Sequence, residues 1–338
     1  MSSQHEGAVQ AAHPTIPASP MVAWARRALR LSFVRDYGIV FSFLSLFIAL
    51  SFASDAFLTK TNLLNICDQW SPTAIVAIGS TLVLISGGFD LSAGAIFALA
   101  GVVTGLTVGD IGVAPAIALG CGAGFAVGVV NGCLTTIGRI NPFIATLAVS
   151  TMVAGIALAL TGGDFVTVAN SDFNKLGLGS FLGITFPIWT AIAIALACGF
   201  ALARTTFGRY IYASGDNAEA ARLSGVRVGF IRSSAFAVCG TCAGMAGVIQ
   251  TSRVSTAQAD GGGFNLVMDA VTAVVIGGTS IWGGAGAIWR TVLGILLLAM
   301  IGNGFNLMNI DPTYQRIVQG GIILAAVALD AWAKRSET

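Results

Sequence analysis

GRYIYASGDNAEAARLSGVRVGFIR, residues 208–232, is a polar, arginine-bearing island in a chain otherwise poor in charge. Uncharged runs flank it, 176–203 before and 233–252 after. A helix needs about 20 apolar residues to cross the hydrocarbon of a bilayer, so each flank is long enough to be a span and the island is the loop between them. Arg209, Arg222, Arg227 and Arg232 place that loop on the cytoplasmic face, where basic residues are retained. Within it, Glu219-Ala220-Ala221 followed by Gly225 reads as a short helix with a glycine end, shaped to dock a soluble partner.

The rest of the chain repeats the pattern of the flanks. It is 55% hydrophobic and 9% charged, against about 25% charged for a soluble domain. Uncharged runs cover 37–54, 69–89, 91–109, 111–138, 140–163, 176–203, 233–252, 270–289 and 291–310, and a shorter one, 317–329, lies between Arg316 and Asp330. Taken in order these give about ten spans of an all-α polytopic membrane protein, with residues 36–333 as the transmembrane domain. Residues 1–35 read as a cytoplasmic tail followed by an interfacial stretch, MVAWARRALRLSFVR (21–35), able to lie on the inner leaflet. With both termini inside, 13 of the 17 lysines and arginines fall on the cytoplasmic side; Lys60, Lys175, Arg253 and Arg316 fall outside.

Several chemistries are excluded by what the chain lacks. Its two histidines, His5 and His13, lie in the tail, so the membrane domain offers none for a metal site or proton relay. Cys239-Gly-Thr-Cys242 has redox or metal spacing, but all six cysteines fall in or beside apolar runs and read as small residues in packed helices. No metal, cofactor or nucleic-acid partner is expected. None of the three lysines follows a glycine, so no phosphate-cradling Gly-Lys-Ser/Thr loop exists. If ATP drives this chain, the ATPase is another polypeptide and the 208–232 loop is its natural contact.

Gly120, Gly124, Gly128 and Gly132 recur every four residues, with Gly240 and Gly244 repeating the device, as expected for helices in close backbone contact. Three strings recur in order, 170–175 residues apart: Gly87-Gly88-Phe89-Asp90-Leu91 with Gly262-Gly263-Phe264-Asn265-Leu266, Asn131-Gly132 with Asn303-Gly304, and Asn141-Pro142 with Asp311-Pro312. The offset joins spans running in opposite directions, the signature of an inverted repeat of spans 2–5 and spans 7–10. The two Gly-Gly-Phe strings then read as matched helix breaks, which place Asp90 and Asn265 at opposite mouths of one path. As N-caps, the same two residues would serve structure alone; a cap can also line a pore. Asn131, Asn303, Phe89 and Phe264 complete the candidate path, the aromatics serving either to stack on a sugar face or as interfacial belt residues. Asp68, Asp90 and Asp269 are the carboxylates that an ion-coupled secondary transporter would use, Asp68 and Asp269 lying near span ends.

The strings SGGFDLSAGAIFALAG (86–101), NGCLTTIGRINPFIATLA (131–148), GRYIYASGDNAEAARLSGVRV (208–228) and VIGGTSIWGGAGAIW (275–289) resemble the permease subunits of ribose/xylose-type ABC sugar importers over residues 40–330. Glu219, Ala220, Ala221 and Gly225 match the EAA-type coupling loop of such permeases, which docks in a groove of the ATPase, and Arg222 is expected to couple with them. The resemblance implies an ABC ATPase subunit, a periplasmic sugar-binding protein, and a second permease copy or paralogue in the bacterial inner membrane. The transported solute would be a monosaccharide or related polyol. One departure is Trp289-Arg290-Thr291, where the family has small residues; a bulky cation there is expected to face lipid headgroups or a partner subunit and to loosen helix packing.

Overall fold

The computed structural model describes residues 20–260, 263–311, 313–318, 320, 321, 324 and 328, with side-chain environments from residue 37. The tail of residues 1–19, Gly262 and Pro312 of the repeated strings, and most of the run 317–329 lie outside the described residues.

The chain is built from helices: α1 (Pro20–Ala53), α2 (Lys60–Ile85), α3 (Ala93–Ile111), α4 (Val113–Thr136), α5 (Pro142–Thr161), α6 (Ser171–Leu178), α7 (Phe186–Arg204), α8 (Thr206–Asp216), α9 (Ala218–Leu223), α10 (Val228–Val254), α11 (Gly263–Ile276) and α12 (Ile288–Leu307). Strands are confined to two-residue pieces. β1 (Val166–Thr167) pairs antiparallel with β4 (Thr256–Ala257), and β2 (Ser180–Phe181) with β3 (Ile184–Thr185). Among the described residues, six helices are long and apolar enough to cross a membrane: α3, α4, α5, α7, α10 and α12. The 37–53 part of α1 and α11 are apolar but shorter. The first half of α2 carries Lys60, Asn62, Asn65, Asp68 and Gln69, which dilute its apolar character.

Helix α10 is the axle of the assembly, packed against α2, α3 and α4. Its contact with α4 is backbone on backbone. A Cβ on Gly124 would lie 2.3 Å from the Gly240 carbonyl oxygen, and one on Gly240 would lie 2.2 Å from that of Gly124. Gly120, Gly124 and Gly128 are buried on that face. Between helices in lipid no hydrophobic effect operates, so close van der Waals contact along such a stripe is what holds them together. Helices α5 and α7 are peripheral and turn large apolar side chains outward, including Met152, Leu196 and Phe200. A soluble protein does not present so much exposed apolar area, and lipid is the solvent that suits it.

Two segments enter this bundle without helical structure. Residues 86–92 follow α2 and lead into α3; residues 255–260 follow α10. Helix α3 runs alongside α10 in the same direction. Gly88 lies against Phe236, the Phe97 carbonyl against Gly247, and Gly101 against Thr251. Helix α11 runs the opposite way and delivers the loop 277–287 to the start of α10, where Gly283 lies against Gly87 and Gly215. The first turns of the two helices meet: a Cβ on Gly94 would lie 2.1 Å from the Gly263 carbonyl oxygen. The chain thus holds two broken helices that enter from opposite ends and touch where each begins.

Proline 72 interrupts the hydrogen bonding of α2. It has no N–H, so the Asp68 carbonyl one turn earlier loses its helical donor. Arg253 Nη1, at the end of α10, supplies the replacement at 2.9 Å and lies 3.5 Å from the Asp68 carboxylate. Thr185 Oγ1 donates to the other carboxylate oxygen.

Candidate functional site

Residues 208–232 form an elbow. Asn217 caps α9, its Oδ1 accepting from the backbone N–H of Glu219 at 3.1 Å and of Ala220 at 3.0 Å. The helix ends at Gly225, in the left-handed region at φ 85°. The Gly225 N–H donates to the Arg222 carbonyl and the Val226 N–H to the Ala221 carbonyl, each at 3.0 Å, the paired bonds of a Schellman ending. Ala221 is buried, while Glu219, Ala220, Arg222 and Leu223 face outward, Leu223 being 82% exposed. Glu219 and Arg222 form an exposed ion pair at 2.7 Å. Farther along, the Arg227 guanidinium lies over the exposed Phe230 ring, 5.6 Å from its centroid. A rigid tip carrying one acid, one base and one leucine is suited to a shallow protein groove.

The inner side of the elbow is joined to both glycine turns. A Cβ on Gly215 would lie 1.8 Å from the Ile85 carbonyl oxygen, and the Gly284 N–H donates to that same oxygen at 2.9 Å. Arg232, in the first turns of α10, donates from Nε to the Ser86 carbonyl and from Nη2 to the Ser214 carbonyl, each at 2.9 Å. One side chain therefore ties the end of α2 to the end of α8. Tyr212 adds a third tie, its hydroxyl donating to the Gly286 carbonyl at 2.8 Å. Burial pushes the Tyr212 phenol up from its ordinary value, against the pull of Arg290, and keeps it a donor.

The break before α3 is held by a sealed polar cluster. Asp90 Oδ1 accepts from the Ser92 backbone N–H at 2.8 Å and the Ser92 hydroxyl at 2.6 Å, and Asn131 Nδ2 of α4 donates to that hydroxyl at 2.7 Å. Asp90 is 2% exposed, Ser92 and Asn131 fully buried. Among the described residues, Asp90 Oδ2 and Asn131 Oδ1 have no hydrogen-bond partner. Phe89 packs its ring against Phe143 at 5.9 Å. On the other side of the repeat, Asn303 of α12 forms a reciprocal amide pair with Asn62 of α2 at 2.7 and 3.1 Å. Phe264 and Asn265 open α11 and are exposed, Phe264 at 71%. The structure thus brings Asp90 and Asn131 together and leaves Asn265, Phe264 and Asn303 apart from them.

Arg290 departs from its expected place. It is 6% exposed rather than lipid-facing. Packing around it stays close because Gly277 carries no side chain: a Cβ there would lie 2.7 Å from the Arg290 carbonyl oxygen. Arg232 reads in the sequence only as one more basic residue of the loop. Its two carbonyl acceptors are 146 and 18 residues away and leave no local pattern.

Comparison with known proteins agrees with this architecture. A family model described as "branched-chain amino acid transport system / permease component" matches residues 62–327. The chain is 39% identical to the ribose import permease protein of Escherichia coli (strain K12) over 90% of its own length and 96% of that protein. It is 40% identical to the ribose import permease protein of Bacillus subtilis (strain 168), covering 85% and 91% of the two chains. It is 38% identical to the D-allose transport system permease protein of Escherichia coli (strain K12), covering 87% and 91%. No solved structure matches the chain. Broken helices packed on glycine, an exposed elbow joined to both of them, and the match across most of the length place this chain in the family of transport-system permease components.

Proposed function

We propose that this chain is the transmembrane permease subunit of an ATP-binding-cassette importer in the bacterial inner membrane. It passes a monosaccharide or related polyol, is energised by a separate ATPase subunit, and is fed by a periplasmic sugar-binding protein. The chain itself is not an enzyme. The observation that carries the reading is the elbow: a capped, solvent-facing α9 whose base is joined through Gly215, Arg232 and Tyr212 to the two glycine turns. Relatives that import ribose and allose support the solute class.

On this reading the elbow is cytoplasmic, both termini are cytoplasmic, and a second permease copy or paralogue completes the pore. The ten-span inverted repeat of spans 2–5 and 7–10 is supported by the two broken helices meeting at Gly94 and Gly263. Of the expected path residues, Phe264 and Asn265 are the ones free to meet a solute. Asp90, Asn131 and Phe89 hold the break before α3, and Asn303 is committed to Asn62. The ion-coupled alternative is weakened because Asp68 is occupied by Arg253 and Thr185 and Asp90 is sealed from solvent.

The test is ATP-dependent uptake of ribose, allose and arabinose into vesicles holding this chain, its partner ATPase and binding protein, beside Glu219→Arg. Glu219 is exposed, so the variant should reach the membrane in normal amount and lose uptake. Undiminished uptake by Glu219→Arg would refute the coupling role, and uptake without the ATPase would refute the importer reading.

A further inference from the structure

A cavity of about 380 Å³ opens between α3, the last turns of α10 and the segment that follows α10. It lies at the opposite end of α10 from the elbow. Phe97 and Gly101 of α3, Gln250 and Thr251 of α10, and Thr256 and Gln258 beyond it contribute to its lining. Its size falls at the low end of the range of small-molecule sites. No lining residue carries a charge.

The polar side chains of this lining are uncommitted. Among the described residues, none of Gln250, Thr251, Thr256 and Gln258 makes a side-chain hydrogen bond to the protein, in a chain where most threonines bond a neighbouring carbonyl. Two amides and two hydroxyls converging on one space, each able both to donate and to accept, match a ligand covered in hydroxyl groups. An apolar ligand would strand all four, and an anion or cation would find no opposite charge. Phe97 adds an apolar surface for the C–H face of a ring.

The site is also built, not left over. Gly101 makes room for it: a Cβ there would lie 2.4 Å from Thr251 Oγ1. Ser255 takes the left-handed conformation at φ 54°, turning the chain back on itself at the end of α10. The returning segment is pinned by β1 through the Thr167–Thr256 and Val166–Ala257 pairs and by the Val168 N–H, which donates to the Ser255 carbonyl at 2.9 Å. Thr256 and Gln258 are thereby fixed opposite Gln250 and Thr251.

We infer that this cavity is the entry subsite of the permease, taking one uncharged polyhydroxylated solute from the binding protein and holding it by Gln250, Thr251, Thr256 and Gln258 before it passes the break at Gly94 and Gly263. The inference rests on the importer reading. It goes beyond it in assigning solute contact to four residues away from the repeated strings, and in making the subsite selective for hydroxyl groups over charge.

Vesicles holding the chain, its ATPase and binding protein loaded with D-ribose give two readouts, sugar imported and ATP hydrolysed. The pair Gln250→Met and Gln258→Leu keeps apolar bulk at both positions and removes both amides; the exposed Gln258→Leu alone guards against a folding defect. Sugar imported per ATP is expected to fall about tenfold in the pair, with ATP turnover within twofold of the unmodified chain. Unchanged import per ATP in the pair would overturn the subsite. So would a parallel loss of import and ATP turnover, which is the mark of a structural role. Absence of ATP-dependent import by the unmodified chain is a separate outcome and would refute the importer reading itself.

Discussion

Gly122 and Gly124 lie two residues apart on α4, yet the structure assigns their alanine variants opposite effects. A methyl at Gly122 meets nothing within 4 Å. Alanine there gains helix propensity, at most about 1 kcal/mol. A methyl at Gly124 lies 2.3 Å from the Gly240 carbonyl oxygen, whereas carbon and carbonyl oxygen across a helix interface normally approach to about 3.3–3.6 Å. The atom it strikes is backbone and cannot rotate away. The helices must therefore part by about 1 Å, a gap that forfeits a quarter to a half of each dispersion well along the seam. Overpacking of this kind costs about 1–3 kcal/mol, and the upper end applies because Gly120 and Gly128 share the seam. The two variants should differ by about 2–4 kcal/mol. For a chain of this size that is about 3–6 °C in Tm, read by tryptophan fluorescence on detergent-purified protein at one scan rate. Equal shifts for Gly122→Ala and Gly124→Ala would refute the claim that backbone contact, rather than glycine content, holds α4 to α10.

Two further outcomes follow from buried polar groups. Asp90→Asn should melt no lower than the unmodified chain, because the new amide supplies a donor where Asp90 Oδ2 and Asn131 Oδ1 both lack one, whereas Asp90→Leu strands Ser92 and Asn131 and should lower stability by about 1–3 kcal/mol; a large loss with Asn would show that a charged Asp90 is required. Arg253→Met removes the donor to the Asp68 carbonyl at the Pro72 interruption and should cost about 1–3 kcal/mol, with much of that loss disappearing in the Pro72→Ala background; a cost that persists in full there would show that the carboxylate contact, not the orphaned carbonyl, is what Arg253 serves.

Local features were legible in the sequence and long-range ones were not. The Asn-capped α9 ending at Gly225 follows from residues within one turn of each other. The glycine stripes follow from a spacing of four. The break at residues 86–92 follows from its Gly-Gly-Phe string, whereas the matching string from Gly263 on is the first turn of α11. Charge-free length fared less well: it counts Gln69 and the residues of 277–287 as span material. The structure instead makes 277–287 a folded loop between a short α11 and α12, because Gly278, Gly283 and Gly284 take left-handed conformations that end a helix. Arg232 and Arg253 both looked like topological markers. Each is placed by partners distant in the chain, and charge alone carries no record of such partners. The four side chains of the entry cavity sit in stretches with no repeat and no charge, and only the fold brings them together.

Beside the side-chain ties of Arg232 and Tyr212, the joints between elbow and glycine turns are backbone on backbone. A contact made by a long side chain absorbs a small displacement through its rotamers; a contact between backbones does not. Gly215 lies against the Ile85 carbonyl, Gly283 against Gly87, and Gly284 donates to the Ile85 carbonyl. On the importer reading, a shift of α8 imposed by an ATPase at α9 would reach the end of α2 and the 277–287 loop together. From there the two arms diverge, one through Ser86 to the sealed Asp90 cluster and α3, the other back along α11. They converge again where Gly94 touches Gly263. Packed cores switch between discrete arrangements rather than deforming continuously, so on the importer reading a push at the elbow would act on the Gly94–Gly263 contact, which lies between the cavity and the elbow. A permease that must never open at both ends needs its moving joint at that level.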